Sequence, residues 1–120
     1  MKILFNTMNL GKGGAERVIN ILSNKMVEIA DIKIVTHLNM PIEYEFDKKI
    51  QIVSVEKKHK KGKILKLLSR ISLVRLLRLR KEVTCFNPDI IVSFLPEPSF
   101  KILLLKRFSK KIKNIPIIVS

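Results

Sequence analysis

Residues 2–29, KILFNTMNLGKGGAERVINILSNKMVEI, contain the change of period that decides the fold. Lys2–Asn6 is a short apolar run, which predicts a strand. Thr7–Gly14 brings Gly11, Gly13 and Gly14 within four positions. From Ala15 the spacing changes to three and four, with Val18, Ile21, Leu22, Met26 and Ile29 in step, which predicts an amphipathic helix. A strand, a glycine-rich turn and a helix in this order open a β-α-β unit.

The same alternation continues outward. Asp31–Thr36 predicts a second strand, with Ile32, Ile34 and Thr36 on one face and Lys33 and Val35 on the other. Pro41–Asp47 is an acidic, turn-like loop, and Ile50–Val55 predicts a third strand. Lys57–Lys63 is a basic connector, and Ile64–Phe86 reads as a long helix. Asn87-Pro88-Asp89 stops it, because proline disfavours a helical residue before it. Ile90–Leu95 is a nearly continuous apolar run, the pattern of a strand buried on both faces of a parallel sheet. Pro96–Ser99 turns the chain with Ser99 as a helix cap, Phe100–Lys113 predicts a third helix, and Ile115–Val119 begins a fifth strand. Helices between apolar strands call for mostly parallel pairing through right-handed crossovers. The expected fold is therefore α/β: a Rossmann-like three-layer domain with a mostly parallel sheet of about five strands and three helices. Ser120 falls at the end of a strand, which reads as an incomplete domain.

With 120 residues, 47% of them hydrophobic, the chain suits one domain with a packed core. No apolar run approaches the roughly 18–20 residues of a spanning helix, and Met1–Leu10, broken by Asn6 and Asn9, is no secretory signal. The single cysteine, Cys85, excludes an internal disulfide and a cysteine-based zinc site, and is read as a small buried hydrophobe. A cytoplasmic chain is expected. Its charge is uneven. Residues 1–47 hold 5 bases against 6 acids, a net of −1, and residues 48–120 hold 19 bases against 4 acids, a net of +15. Such an asymmetry points to a polyanionic partner near the second part.

Gly11-Lys12-Gly13-Gly14-Ala15-Glu16-Arg17 is the most informative stretch for chemistry. Glycines let a backbone approach a ligand, and a helix starting beyond them offers free N–H groups to a phosphate or a sugar hydroxyl. Lys12 and Arg17 add positive charge there, and Glu16 favours the helix dipole. The dinucleotide fingerprint fails, because Glu16 stands where its third glycine belongs and Thr36-His37 where its acid belongs. No Gly-Lys-Ser/Thr follows, so the P-loop fails too. A tight turn without a ligand is the competing reading.

Two blocks carry a family resemblance. Met1–Val18, MKILFNTMNLGKGGAERV, resembles the opening of retaining glycosyltransferases of the GT4 type (group 1). Asn87–Ser120, with NPDIIVSFLPEPSFKILLLKR and IPIIVS, is similar to a later block of the same family. The resemblance implies a GT-B fold, in which two Rossmann-like domains face one cleft. Residues 1–120 would be part of the N-terminal, acceptor-side domain, and the C-terminal donor domain would be missing. It also implies transfer of a hexosyl group from a nucleotide-sugar to a saccharide or lipid-linked saccharide, with no further cofactor and no activity of this chain alone. Gly11, Lys12, Gly13, Gly14, Glu16 and Arg17 would then form the loop beside acceptor and donor phosphate. His37, ending the second strand, and Glu97, between two prolines, are candidate acceptor contacts. The catalytic residue is not identified, and no metal-ligating constellation is found.

Lys57–Lys81 interleaves bases with leucines. Ile64, Leu67, Leu68, Ile71 and Val74 share one side of a helical wheel; Lys66, Arg70, Arg80 and Lys81 gather opposite, with Leu73 and Leu77 among them. Arg75 and Arg78 intrude on the apolar arc. With Lys57, Lys58, Lys60, Lys61 and Lys63, this stretch reads as an interfacial patch resting on an anionic membrane surface at the inner face. A wide core helix with snorkelling arginines is the alternative. Nucleic acid is not expected, because stacking aromatics are scarce here. The rival to the enzyme reading is a non-catalytic anion- or membrane-binding α/β module.

Overall fold

The structure is a computed structural model that describes residues 1–56 and 72–120, the side chains of 72–74 aside. The strands are β1 (Lys2–Thr7), β2 (Asp31–Thr36), β3 (Gln51–Ser54), β4 (Ile90–Ser93) and β5 (Ile117–Val119). The described helices are α1 (Gly14–Met26), α2 (Ser72–Phe86) and α3 (Pro96–Phe108). All five strands pair in parallel in the order β3-β2-β1-β4-β5, a Rossmann-like α/β sheet. The part of the expected long helix before residue 72 lies outside the described residues.

Alternation along the strands divides the core into two layers. Ile3, Phe5, Ile32, Ile34 and Phe94 pack with Ile19 of α1 on one face. Leu4, Val35 and Ile91 pack with Leu79 and Val83 of α2 and Ile102 and Leu105 of α3 on the other. Each buried side chain of this size contributes about 1.5–3 kcal/mol. Lys33 shares this second face and is 3% exposed. Its ammonium meets the Glu82 carboxylate at 2.7 Å and lies 5.7 Å from the centre of the Phe86 ring. A buried ammonium needs such partners, so this pair ties α2 to β2.

Several expectations require correction. On α1, Val18, Ile21 and Leu22 face solvent, as does Ile29 beyond it; of the expected line only Met26 packs on the core, joined there by Ala15 and Ile19. Ser23 is buried on the same side as Ile19. Helix α3 starts at Pro96 rather than Phe100, with Leu95 as its N-cap, so Ser99 lies inside the first turn and is not a cap. It ends at Phe108, and residues 109–116 return to β5 by turns that bury Ile112 and Ile115. Cys85 is exposed on α2 rather than buried. Arg75 and Arg78, out of place on the wheel, reach back to the end of β3: Arg75 meets Glu56 at 3.4 Å, and Arg78 donates to the Val55 carbonyl at 3.1 Å. The acidic loop lies along α1, where the Asn20 and Asn24 amides donate to the Glu45 carbonyl.

Candidate functional site

β1 and β4 are adjacent, yet α1 leaves β1 toward one face and α3 leaves β4 toward the other. The sheet therefore parts at its carboxyl edge between these strands, the position at which open parallel sheets bind ligands. Register places Asn6 of β1 directly beside Ser93 of β4, and Val35 on its other side. His37, two residues beyond Val35, shares the Asn6 face.

These residues form a buried polar network. The Asn6 amide group donates to Ser93 Oγ at 3.1 Å and to the Pro98 carbonyl at 2.9 Å, and Ser93 Oγ lies 2.8 Å from Ser99 Oγ. Asn6 Oδ1 stands 2.6 Å from His37 Nε2. A carbonyl oxygen only accepts, so Nε2 carries the proton and Nδ1 is left with a bare lone pair. That Nδ1 is buried and has no hydrogen-bond partner. Burial, reinforced by the nearby charges of Lys101 and Arg75, pushes the His37 pKa down from 6.5 to about 4. The imidazole is neutral at physiological pH. Thr7 Oγ1 is a second buried atom without a partner, on the α1 face of the same edge.

The glycine turn is more closed than its composition suggests. The Gly11 amide donates to Asn9 Oδ1 at 2.8 Å and is not free for a ligand. Gly13 is the N-cap of α1, in an extended conformation with φ −80°. The Glu16 carboxylate folds back over Gly13 into the space that a side chain there would occupy. A Cβ on Gly13 would meet only the flexible end of the Glu16 side chain, and a Cβ on Gly14 meets nothing within 4 Å. Glu16 is buried, and Lys12 and Arg17 are exposed on either side of it. A carboxylate at the opening of α1 satisfies the helix dipole and repels a phosphate that would seek the same place. What it accepts well is a hydroxyl or an amide N–H.

A cavity of about 150 Å³ opens at the carboxyl ends of β2 and β3, lined by Leu10, Thr36, Leu38, Asn39 and Ser54 among others. It touches none of the glycines and is smaller than the roughly 300–1,000 Å³ of a full small-molecule site. Glu97 is exposed in the first turn of α3 and pairs with Lys101 at 3.5 Å; it is not part of the Asn6 network. Just before it, Leu95 holds φ at +71°, a left-handed backbone on a non-glycine residue at the sheet's carboxyl edge.

Of the expected basic patch, Leu77, Arg80 and Lys81 are exposed on α2. Lys57, Lys58, Lys60, Lys61, Lys63, Lys66 and Arg70 lie outside the described residues, as does the side chain of Leu73. Among the described residues, no three His, Cys, Asp or Glu side chains gather to hold a metal, and no helix is long and apolar enough to cross a membrane. The sequence does not single out Asn6 or Ser93 as site residues, and it reads Ser99 only as a helix cap. Their signal was there: a polar residue inside an apolar strand, twice, at the two strands that flank the switch point. No protein-family model matches the chain, and no curated protein matches it in sequence.

Proposed function

We propose that the chain is the acceptor-side part of a GT-B glycosyltransferase. It would hold the saccharide or lipid-linked saccharide that receives a hexosyl group from a nucleotide-sugar bound by a second domain. The observation that carries this reading is the pair of hydrogen-bond acceptors at the carboxyl edge of the sheet, the Glu16 carboxylate over its glycine turn and, buried on the other face, the unpaired Nδ1 of the neutral His37 imidazole. Acceptors suit a ligand rich in hydroxyl groups, which donate. The same pair disfavours a phosphate, and this agrees with a division of labour in which the nucleotide-sugar is held elsewhere. Asn6 fixes the His37 tautomer, so the ring serves as the polar floor of the site. The basic stretch from Lys57 to Lys81 supports placement at the cytoplasmic face of an anionic membrane, where lipid-linked acceptors are met.

A titration of the isotope-labelled chain followed by nuclear magnetic resonance tests this. Simple saccharides are expected to shift the amide signals of Thr7, Gly13, Gly14 and Glu16 with millimolar affinity. Glu16→Gln should weaken that response about ten-fold, the loss of a charged hydrogen bond. Uridine diphosphate should leave the glycine turn unmoved. A turn that answers to the diphosphate and ignores saccharides, or answers to neither, overturns the proposal. The net charge of +15 on residues 48–120 favours the second reading, a non-catalytic module for anionic surfaces. Vesicle binding without any saccharide response would select it.

A further inference from the structure

Helix α3 is apolar on its outer face as well as its inner one. Ile102 and Leu105 are buried against the sheet, while Phe100 is 66% exposed, Phe108 76% and Leu103 45%. Phe100, Leu103 and Arg107 follow at spacings of three and four and so make one outward stripe. Large apolar groups clustered on one exposed face mark a contact surface. The charge around them indicates what covers it. From Pro98 to Ser120 the chain has six bases and no acid. Arg107, Lys110, Lys111 and Lys113 are all exposed, and the Arg107 guanidinium lies 5.8 Å from the centre of the Phe108 ring. Arg80 Nε of α2 reaches Ser109 Oγ at 3.4 Å, which joins the exposed Leu77, Arg80 and Lys81 of α2 to the same outer layer.

We infer that the outer face of α3, with the turn that follows it, docks on an anionic lipid surface: Phe100, Leu103 and Phe108 enter the interface, and Arg107, Lys110 and Lys111 meet the head groups. Apolar side chains ringed by bases fit a surface that is greasy beneath and negative above, whereas a nucleic-acid backbone rewards only the charges. This assignment rests on exposure and charge in α3. It is independent of the saccharide reading and of residues 57–71.

The chain contains no tryptophan, so Phe108→Trp places a single emission reporter at the proposed point of entry. With vesicles of equal parts phosphatidylcholine and phosphatidylglycerol, its emission should shift to the blue and be quenched by brominated acyl chains. With phosphatidylcholine alone neither change should occur. Phe100→Ser with Phe108→Ser should lower co-sedimentation roughly ten-fold, and each of Lys110→Gln and Lys111→Gln about five-fold. All these positions are exposed, and circular dichroism checks that the variants fold. The proposal is overturned if the emission of the Phe108→Trp variant stays unshifted on anionic vesicles, or if the α3 variants sediment as the parent does while neutralising Lys57–Lys63 abolishes binding. A chain that ignores anionic vesicles and instead retards RNA overturns it equally.

Discussion

Two turns carry the chain from the carboxyl edge of the sheet into a helix, and they are built from opposite materials. The turn from β1 to α1 spends three glycines, yet Gly13 sits at φ −80°, open to any residue. What a side chain there would meet is the flexible end of Glu16, whose carboxylate fills that space. The turn from β4 to α3 needs a left-handed backbone, with φ +71°, and uses Leu95 for it, followed by Pro96 and Pro98. Proline at the start of a helix forgoes an N–H that would be unpaired anyway. The first turn thus keeps a charged group in place over an uncapped helix end. The second holds a strained backbone against the neutral network of Asn6, Ser93 and Ser99. Glycine content is therefore a poor guide to backbone strain here.

The largest effect is expected where the second turn is anchored. Asn6→Ala removes the group that satisfies His37 Nε2, Ser93 Oγ and the Pro98 carbonyl at once, all of them buried. Unfolding by urea should show a loss of about 3 kcal/mol, and Ser99→Ala only about 1 kcal/mol. Next comes acid. His37 is protonated near pH 6.5 when unfolded but only near 4 when folded. The unfolded chain thus binds more protons between these values, and stability, fully present above pH 6.5, falls as pH is lowered toward 4. The shift corresponds to about 3 kcal/mol at most. Urea midpoints at neutral pH and near pH 4 should show the decline, and His37→Gln should flatten it. The smallest effects sharpen the contrast between the turns because their signs oppose. Leu95→Gly relieves a left-handed backbone and should stabilise by about 1 kcal/mol. Gly13→Ala only pushes the flexible Glu16 tip aside and should destabilise by less than about 1 kcal/mol, read in the same melts.

Much of the fold is legible in the residue pattern. Asp31–Thr36 is observed with the expected bounds, β1 runs one residue further at its end, and β3 is one residue shorter at each end. Such runs are legible because a strand in a parallel sheet, covered on both faces, has to be apolar nearly throughout. Helix faces were less legible. Helix α1 has two lines of residues at helical spacing, and the more hydrophobic one, Val18-Ile21-Leu22, is the one left outside. The residue pattern favours that line, whereas the sheet packs on Ala15, Ile19 and Met26. The start of α3 was misplaced for a similar reason. Two prolines read as a turn, although both fit the first turn of a helix, and Ser99, which resembled a cap, is occupied by Ser93.

The sequence by itself determined the order of elements, the parallel α/β class, the glycine turn and the gathering of positive charge in the second part, since each follows from local periodicity or from counting. Only the tertiary structure decided that Asn6 links His37 to Ser93 and Ser99, that Lys33 is buried against Glu82, and that Phe100 and Phe108 stand in solvent. Those pairs lie up to 87 positions apart or depend on which face of a helix meets the sheet. No spacing rule reaches across such separations; strand register and the packing of layers do.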